Sequence, residues 1–393
     1  MLILISKILF FASSGLILYV YFGYPLLLSF AARFIHRPVT RKSIEPSVSI
    51  LIAAYNEEAV IQQKLTNCLS LEYPKELLEV ILLSDGSDDG TVRVAKQFTD
   101  TGVTVFDLPR GGKIQALNQG ARAARGEILV FTDANAMLQS DALKHLVSNF
   151  ADPSVGGVCG NQRYTGAKDS GVSSGENLYW KYDKFIKRLE SSIGSAVAAD
   201  GSLYAIRASL YRPLTDLAQA DDHAISSRVV TEGYRLILDE RAVAYEEPPG
   251  EGRREFRRKI RVANHTAASI MNLPEALDPR VTGVYALELI SHKVLRYFVP
   301  VFMMIALAAN GLLLSEGLLY RLAAAGQVLF YLCALLGYLF RRNPLGRFKL
   351  FYAPYYFCLA NMAAFLGIVS RFRGQRFVIW QPRGDSPAIS TRR

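Results

Sequence analysis

The chain has 393 residues, which is enough for one large domain or two of ordinary size. Its formal net charge is +10, and many of its Lys and Arg residues lie beside long apolar runs in the first 35 and roughly the last 100 residues. This distribution favours a basic face against anionic membrane lipid over a nucleic-acid surface. The four cysteines share no short spacing, so neither a zinc site nor a disulfide framework is indicated.

The first apolar run, residues 3–34, contains Lys7 and leads into a basic flank that continues to Lys42. The run is too long for a cleaved signal peptide, and it lacks a clean small-residue cleavage site before the basic flank. We therefore expect residues 1–35 to form an N-terminal transmembrane helix, with the basic flank on the cytoplasmic side.

From residue 46 the pattern changes to short apolar, β-forming runs that alternate with polar helical segments. Apolar runs begin at Val48, Val80, Val103 and Ile128, and a helical segment follows each of the first three. This alternation is typical of βαβ units and a parallel sheet. The runs are continuously apolar, as expected where helices cover both faces of a sheet.

Polar residues follow three of these strands at the point where each strand ends. Tyr55 and Glu57 follow the first strand, Asp85 follows the second, and Asp133 with Asn135 follows the fourth. Because the carboxyl ends of parallel strands share one edge, we expect these side chains to line one crevice. An aspartate at such an edge suits a hard divalent cation, which would bind a diphosphate. The first strand is followed by neither Gly-x-Gly-x-x-Gly nor a Walker loop, which disfavours dinucleotide and P-loop sites.

Four motifs in the middle of the chain resemble, in order, those of family 2 glycosyltransferases with the GT-A fold. They are Ala54-Tyr55-Asn56-Glu57, Ser84-Asp85-Gly86-Ser87-Asp88-Asp89-Gly90-Thr91, Gly112-Lys113-Ile114-Gln115-Ala116-Leu117-Asn118 and Asp133-Ala134-Asn135. Later stretches resemble elements of the membrane-bound synthases of hyaluronan, chitin and cellulose. These are an acceptor-side loop at 200–207, a Thr-Glu-Asp type motif at 220–222, a Gln-Arg-x-Arg-Trp type motif at 258–262 and a Trp-x-x-Arg tail element at 380–383. The resemblance implies an α/β chain in which a doubly wound, mixed-sheet GT-A domain is flanked by N- and C-terminal transmembrane helices.

The resemblance implies a nucleotide pocket lined by Ala54, Tyr55, Glu57, Asp85, Lys113 and Asp133. In this pocket Asp85 would accept the uracil N3 hydrogen of a UDP-sugar donor, and Lys113 would pair with the diphosphate. Asp133, with Asn135 as a neutral ligand, would hold Mg²⁺ or Mn²⁺ as a Lewis acid for the leaving group. Because Asn135 replaces the family's second metal-side acid, we expect weaker metal binding.

The resemblance also assigns the transfer step. Asp222 would be the general base that deprotonates the acceptor hydroxyl, and the neighbouring Asp221 is the competing candidate. The implied contacts to the acceptor and the diphosphate are Asp200, Gly201, Ser202, Arg258, Lys259, Arg261 and Trp380. In-line attack would invert the anomeric carbon, so an α-linked donor would give a β-linkage.

Three functions are compatible with these residues. The leading prediction is an inverting, metal-dependent transferase that extends a β-linked polysaccharide or oligosaccharide at the membrane. Val262 replaces the tryptophan of the Gln-Arg-x-Arg-Trp motif, which leaves open a single transfer to a lipid-linked acceptor. Asn135 leaves open a non-catalytic nucleotide-sugar-binding subunit of a secretion complex. Asp222 argues against that third function, because a binding subunit needs no base.

The predicted organisation has five parts: an N-terminal transmembrane helix at 1–35, a cytoplasmic GT-A domain at 46–250, amphipathic interface helices at 251–288, a C-terminal transmembrane region at 289–370 and a basic tail at 371–393. We expect the basic amphipathic helix to lie on anionic lipid at the inner surface of a bacterial plasma membrane. Three full crossings after the domain would place the basic tail outside, against the positive-inside tendency. Pro354 and its aromatic neighbours suggest a re-entrant or interfacial last segment instead, and the sequence leaves both arrangements open.

Overall fold

The computed structural model of the chain describes residues 1–165, 171–247, 253–341, 343, 346 and 348–378. Within these residues, the strands are β1 (Val48–Ala54), β2 (Leu78–Asp85), β3 (Val103–Leu108), β4 (Ile128–Asp133), β5 (Met137–Leu138), β6 (Val155–Tyr164), β7 (Tyr204–Arg207) and β8 (Arg235–Glu246). The α-helices are α1 (Leu2–Leu18), α2 (Tyr24–Phe34), α3 (Glu58–Leu69), α4 (Thr91–Ala95), α5 (Lys113–Ala123), α6 (Ala142–Ser148), α7 (Gly171–Ile193), α8 (Asp221–Thr231), α9 (Arg253–Met271), α10 (Pro279–Thr282), α11 (Val284–Leu289), α12 (Leu295–Gly311), α13 (Leu318–Leu339) and α14 (Lys349–Phe372).

All of these strands belong to one sheet, in the order β3-β2-β1-β4-β7-β6-β8-β5. The strands predicted from the sequence, β1 to β4, pair in parallel, which confirms the predicted βαβ arrangement. Strand β7 joins β4 antiparallel, and β6 pairs antiparallel with β7, so the complete sheet is mixed. The mixed α/β fold implied by the motifs is therefore confirmed. We refer to residues 46–247 as the sheet domain.

Strands β5 to β8 were not individually predicted, because their sequences carry weak strand signals. Strand β6 contains Gly156, Gly157 and Gly160, and β8 is interrupted by the charged residues 239–241. Glycine inside a strand marks close packing, and a Cβ atom at Gly156 would lie 2.5 Å from the Cβ of Tyr234. Contacts between distant parts of the chain decide these strands, so local periodicity does not reveal them.

Strand β1 lies between two apolar cores, one on each face of the sheet. Ile50 and Ile52 pack in the cluster that contains Leu65 of α3, whereas Leu51 packs in the cluster that contains Leu117 of α5. All seven residues of β1 are buried. The helices on both faces explain why the strand is apolar on both of its faces rather than at alternate positions, with Ser49 as the one polar residue.

Four helical stretches in the described part of the chain are long and apolar enough to cross a membrane: Leu2–Phe34, Val284–Gly311, Leu318–Leu339 and Lys349–Phe372. The first stretch joins α1 to α2 through a π-helical turn, and the second joins α11 to α12 in the same way. Near the sheet domain, the Tyr24 hydroxyl of α2 donates to Glu190 of α7 at 2.7 Å. Lys7 of α1 pairs with Glu316, in the turn between α12 and α13, at 2.8 Å. That turn therefore lies at the end of α1 away from the sheet domain.

The C-terminal tail returns to the sheet domain. The carbonyl oxygen of Phe377 lies 2.7 Å from Nε2 of His265 in α9, and Asn264 donates to the Gln375 carbonyl at 3.2 Å. Helix α9 is itself anchored to the sheet domain, because the Ala220 N–H donates to the Ser269 hydroxyl at 3.1 Å. An odd number of membrane crossings after the sheet domain would separate the tail from it. Of the two arrangements that the sequence leaves open, this contact favours the one without three full crossings after the sheet domain.

Helix α14 packs lengthwise against α9. A Cβ atom at Gly367 would lie 2.5 Å from the carbonyl oxygen of Ile260, and Asn264 donates to the Ser370 hydroxyl at 2.8 Å. Because α9 is a basic amphipathic helix, a helix that follows it closely suits the membrane surface. This packing favours α12 and α13 as the crossing pair and α14 as an interfacial segment.

Thiol labelling of intact membrane vesicles tests this arrangement. Asp100, Ser315 and Arg376 are exposed, so a cysteine at each position is accessible. We expect Asp100→Cys and Arg376→Cys to react with an impermeant reagent from one side, and Ser315→Cys from the other. Labelling of Arg376→Cys together with Ser315→Cys would contradict the arrangement. The unaltered chain is the control, since Cys68, Cys159 and Cys333 are buried and Cys358 is partly buried.

Candidate active site

The register of the sheet brings three predicted site residues to one edge. Strand β1 pairs with β2 so that Ala54 lies opposite Ser84, the residue before Asp85. On its other side, β1 pairs with β4 so that Ala53 lies opposite Asp133. Ala54, Asp85 and Asp133 therefore end three adjacent strands at the same level, as the pattern of polar strand ends predicted.

The polar residues after β1 and β2 mainly bind one another. The Asn56 side chain donates to Asp88 at 2.5 Å and accepts from the Asp88 N–H at 3.0 Å. Asp89 accepts from the Thr91 N–H at 2.9 Å, and the Glu57 N–H donates to the Thr91 hydroxyl at 2.8 Å. Asp88 and Asp89 thus act as turn and helix-capping residues, which leaves Asp85 as the acid of this motif that faces the next loop.

Asp85 is buried against the loop that follows β3. One carboxylate oxygen accepts from the N–H groups of Gly111 and Gly112 at 2.7 and 2.9 Å. The other accepts from the Arg110 guanidinium at 2.5 Å. The same guanidinium lies over the Tyr55 ring, 3.2 Å from its centroid. A nucleobase that donates a hydrogen to Asp85, as predicted, would have to share the carboxylate with Arg110 or displace it.

Sequence reasoning missed Arg110. The available signal was its place in the loop after β3, three residues before Lys113 and at the carboxyl edge of the sheet. Gly86 makes the contact possible, because a Cβ atom there would lie 2.7 Å from the Arg110 backbone nitrogen and its φ is +69°. Only glycine readily combines this backbone conformation with so close a neighbour, which explains Gly86 after Asp85.

Lys113, at the start of α5, lies between carboxylates that come from different strands and helices. Its ammonium is 2.9 Å from Asp133 and 3.1 Å from Asp221. Burial alone would lower the pKa of Lys113, but these two negative charges and that of Asp222 raise it above its ordinary value. Lys113 is therefore a permanent positive charge inside the crevice.

The two candidate bases at the start of α8 lie in different environments. Asp221 pairs with Lys113, whereas one oxygen of Asp222 accepts from the N–H of His223 at 2.7 Å. Burial and the neighbouring negative charge of Asp221 raise the pKa of Asp222 to about 7, although Lys113 opposes the shift. A carboxylate with such a pKa binds and releases a proton near neutral pH, so Asp222 suits a general base better than Asp221.

Gly201 lies between these charged groups. A Cβ atom there would be 3.5 Å from Asp222 Oδ2, 3.6 Å from Asp133 Oδ2 and 3.9 Å from Lys113 Nζ. The neighbouring residue Asp200 pairs with Lys187 at 2.5 Å, and the Ser202 carbonyl accepts from the Thr132 hydroxyl. Residues 200–202 therefore form one wall of the crevice, with no side chain at the point where the two aspartates face each other.

The residues present fit a hard cation that takes most of its ligands from outside the protein. Among the described residues, no group of three or more His, Cys, Asp or Glu side chains is placed to hold a metal ion. Asp133 supplies one carboxylate, and Asn135 follows it at the same edge. Mg²⁺ commonly binds through one or two carboxylates together with substrate phosphates and water, so this ligand set suits a cation that arrives with a diphosphate.

Two of the three predicted diphosphate contacts on α9 form ion pairs within that helix. Arg258 and Lys259 both pair with Glu255, at 2.7 and 2.9 Å. Burial, together with the charge of Arg258, lowers the pKa of Arg261. Val262 is 47% exposed, so the position of the missing tryptophan is open rather than packed. Any contact between these cations and a diphosphate stays a prediction.

The tail that follows α14 reaches the start of α5. The Val378 carbonyl oxygen would lie 2.8 Å from a Cβ atom at Gly112, whose φ is +95°. Burial lowers the pKa of His265 to about 4, so its imidazole is neutral at pH 7. Because the Phe377 carbonyl can only accept, Nε2 of His265 carries the proton of this contact. The tail thus lies beside Lys113, and Trp380 falls outside the described residues.

Comparison with known proteins agrees with this geometry. Residues 49–212 match the model of the family described as "Glycosyl transferase family 2". The matched range contains strands β1 to β7, Asp85, Lys113, Asp133 and residues 200–202. Over residues 49–212 the chain is thus similar to family 2 glycosyltransferase domains, which agrees with the resemblance of its motifs.

Two curated relatives make the comparison more specific. The poly-β-1,6-N-acetyl-D-glucosamine synthase of Staphylococcus aureus (strain COL) is 30% identical over 206 residues, which cover 50% of this chain and 49% of that protein. The probable glycosyltransferase YdaM of Bacillus subtilis (strain 168) is 28% identical over 240 residues, which cover 56% of this chain and 54% of that protein. The chain spans about half the length of the curated relatives it matches.

A solved structure shares the fold along nearly the whole chain. It is a mannosyltransferase from Pyrobaculum calidifontis, in complex with GDP-mannose and Mn²⁺. The two chains are 24% identical, with a TM-score of 0.66, and the match covers 95% of this chain and 99% of the other. This likeness supports the fold, including the helices that flank the sheet domain.

Replacing Gly201 by alanine tests whether the space at this position is used by the reaction. The added methyl group would make ordinary van der Waals contacts of 3.5 to 3.9 Å, so we expect an unchanged Tm. It would nevertheless lie between Asp133 and Asp222, and we expect sugar transfer to fall roughly 10-fold or more from misplacement of the reacting groups. Gly194→Ala, whose methyl group would meet nothing within 4 Å, is the matched control. Equal transfer rates for both variants would show that Gly201 does not border the reacting atoms.

Proposed function

We propose that this chain is an integral-membrane, inverting glycosyltransferase that moves a sugar from a nucleotide donor, UDP-linked in the first instance, to a growing β-linked polysaccharide or oligosaccharide. The observation that carries the proposal is the meeting of Asp133, Lys113 and Asp222 around Gly201. A cation site, a phosphate-binding ammonium and a base poised near neutral pH then lie within one crevice. Together these groups would supply the base and the stabilisation of the leaving diphosphate for inverting transfer.

The proposed reaction begins when the acceptor hydroxyl lies between Asp222 and the anomeric carbon of the donor. The Asp222 carboxylate takes the hydroxyl proton as the acceptor oxygen forms its bond to that carbon. The bond from the same carbon to the diphosphate oxygen breaks with its electron pair, and the nucleoside diphosphate leaves with the added negative charge. Lys113 stabilises that charge, and attack opposite the leaving group turns an α-linked donor into a β-linked product.

Asp133, with Asn135, would hold the divalent cation that GT-A enzymes commonly use. When bound, Mg²⁺ or Mn²⁺ supplies Lewis-acid stabilisation of the diphosphate. Lys113 contacts Asp133, so a bound metal ion would have to share this carboxylate with the lysine ammonium. We therefore expect a metal affinity below that of a site with two acids.

The proposed class of product is supported by the name of one relative. The Staphylococcus aureus relative is named as a synthase of poly-β-1,6-N-acetyl-D-glucosamine, a β-linked polymer of an N-acetylhexosamine. We extend this to the present chain as a β-linked product made from an N-acetylhexosamine or hexose donor. The acceptor would then be the non-reducing end of a carbohydrate, held between residues 200–202 and α9.

The sheet domain is proposed to lie on the cytoplasmic side of a bacterial plasma membrane. Basic residues follow the first membrane helix and fill α9, next to the sheet domain, as the positive-inside tendency requires. Basic residues of α9 would also contact anionic lipid. Nucleotide sugars are cytoplasmic metabolites, so the same side gives the crevice access to its donor.

A second candidate is a single transfer to a lipid-linked acceptor. Exposure of Val262, at the position where the synthase motif has tryptophan, favours it, because an aromatic platform for a sugar chain is missing there. Product length distinguishes the two: a processive enzyme gives polymers at low conversion, and a single-transfer enzyme gives one addition.

The proposed function is tested with purified full-length protein in detergent or nanodiscs. Release of nucleoside diphosphate is measured across a panel of UDP- and GDP-sugars, with and without Mg²⁺ or Mn²⁺ and an acceptor oligosaccharide. We expect cation-dependent release from one UDP-sugar donor. GDP-sugars belong in the panel because a carboxylate such as Asp85 accepts from uracil N3–H and guanine N1–H alike. No release from any donor, in membranes as well as in detergent, would contradict the proposal.

Charge-removing substitutions separate the two aspartates of α8. Asp222→Asn is expected to lower transfer by about 10²- to 10⁴-fold through loss of the base. In the unaltered chain, transfer should rise with pH and level off above about 7, because only deprotonated Asp222 accepts the proton.

Asp221→Asn removes the negative charge that helps to raise the pKa of Asp222. In this variant transfer should persist, and the rising part of its pH profile should move to lower pH. The pH profiles of kcat/KM for the three proteins check these expectations. A non-catalytic binding subunit would show no difference among them. An unchanged rate for Asp222→Asn with complete loss for Asp221→Asn would instead make Asp221 the base.

A further inference from the structure

The wall formed by residues 200–202 is held from both ends by buried lysines. On one side, the Thr132 hydroxyl donates to the Ser202 carbonyl at 2.7 Å. The same hydroxyl oxygen accepts from the Lys64 ammonium nitrogen at 2.9 Å. On the other side, Asp200 accepts from Lys187 of α7 at 2.5 Å. Lys64 is completely buried and Lys187 is 1% exposed, so both contacts lie inside the protein. The segment that contains Gly201 is therefore held by two buried lysine side chains.

The Lys187 anchor continues into the membrane helices. Its ammonium also lies 3.5 Å from Asp183, one turn earlier in α7. Asp183 in turn lies 3.1 Å from Nε2 of His292 and 3.5 Å from Arg296, and both of these belong to the stretch Val284–Gly311. Asp183, Lys187 and His292 are each at most 3% exposed. An unbroken row of polar and ionisable groups thus joins the membrane stretch to Asp200.

Glu190 connects the same row to the N-terminal membrane helix. It lies one turn after Lys187 in α7 and accepts from the Tyr24 hydroxyl of α2 at 2.7 Å. Nδ1 of His292 is 2.8 Å from the same carboxylate oxygen of Glu190. The other oxygen accepts from the Val197 N–H at 3.1 Å, in the segment that leads to Asp200. Both membrane stretches therefore contact α7 through polar groups that also hold the approach to the crevice wall.

Such a row is energetically costly, which argues that its geometry is used. Removing a charge from water costs several kcal/mol, and close pairing repays this only when the partners are held in a fixed arrangement. Apolar side chains would pack α7 against its neighbours at lower cost. The polar contacts instead fix the relative orientation of the helices, because each hydrogen bond requires a defined direction.

We propose that Lys187 is a positioning residue for sugar transfer: by holding Asp200, it places Gly201 between Asp133 and Asp222 and ties the geometry of the crevice to the membrane stretches. This inference rests on the proposed glycosyltransferase function. Lys187 acts through Asp200 and is not itself a catalytic residue. The membrane end of the row, His292, acts through Asp183 in the same way.

The position of the row predicts which step it affects. The proposed nucleobase pocket, formed by Asp85, Arg110 and Tyr55, follows β1 and β2, whereas residues 200–202 precede β7 on the other side of β4. Loss of the Lys187 contact should therefore leave nucleotide affinity unchanged and reduce the rate of transfer. A general structural role would instead lower the Tm, nucleotide affinity and transfer together.

The test uses full-length protein in nanodiscs with the donor and acceptor found active for the unaltered chain. Lys187→Met, Asp200→Asn and the double variant are compared with Lys144→Met, which removes an exposed lysine from an ion pair with Glu72. The measurements are kcat for transfer, Kd of the nucleoside diphosphate by calorimetry, and Tm. We expect each single variant to lose roughly 10- to 100-fold in kcat at unchanged Kd. The double variant should lose no more than the worse single variant, because both changes break one contact.

Asp200→Asn keeps the inference testable if Lys187→Met does not fold, because it alters the same contact from the other partner. Transfer by both single variants at the rate of Lys144→Met would overturn the inference while leaving the proposed function intact. A parallel fall in Tm, nucleotide affinity and kcat would overturn it in favour of a general structural role. No turnover by the unaltered chain with any donor would remove the proposed function, and this inference with it.

Discussion

Three carboxylates meet at the crevice, and the ammonium of Lys113 is the charge that allows them to do so. It contacts Asp133 and Asp221 within 3.1 Å and attracts Asp222. Without it, three neighbouring negative charges, each only partly exposed to water, would repel one another. The neutralisation is unequal, since Asp221 has the direct contact and Asp222 does not. Burial and the charge of Asp221 raise the pKa of Asp222 to about 7 although Lys113 opposes the shift, which makes the two adjacent aspartates chemically different.

Aspartates of one motif have different roles in this crevice because they occupy different positions in the fold. The motif at the end of β2 contains three aspartates. Asp88 binds the side chain of Asn56, and Asp89 accepts from the backbone N–H groups of Thr91 and Glu58. Asp85 instead faces the loop after β3, where Arg110 covers the ring of Tyr55. A side chain at Gly86 would collide with Arg110. A side chain at Gly201 would occupy the space between Asp133 and Asp222. The motif is therefore a loop-building sequence with one acid directed to the site.

The membrane stretches contact helices that also hold elements bordering the crevice. Helix α9 holds the start of α8 through Ser269 and receives the tail through His265. Helix α7 joins both membrane stretches to Asp200 through Lys187 and Glu190. Polar contacts of this kind do not slide as apolar packing can, because each depends on distance and direction. The orientation of the membrane helices thereby enters the geometry of the crevice.

The sequence by itself determined the features that depend on local spacing and composition. These are the apolar stretches at both ends, the alternation of strand and helix through β4, and the polar strand ends at Asp85 and Asp133. Periodicity and turn residues are enough for such features, since neighbouring residues produce them. Only the tertiary structure decided the rest: the glycine-containing strand β6, the contact of Arg110 with Tyr55, and the return of the tail to α9. His265 and Phe377 are 112 positions apart, and Lys113 reaches Asp221 across more than a hundred residues. Contacts at such separations arise from packing of the whole sheet and its helices, and the charge balance that sets the pKa of Asp222 exists only once they have formed.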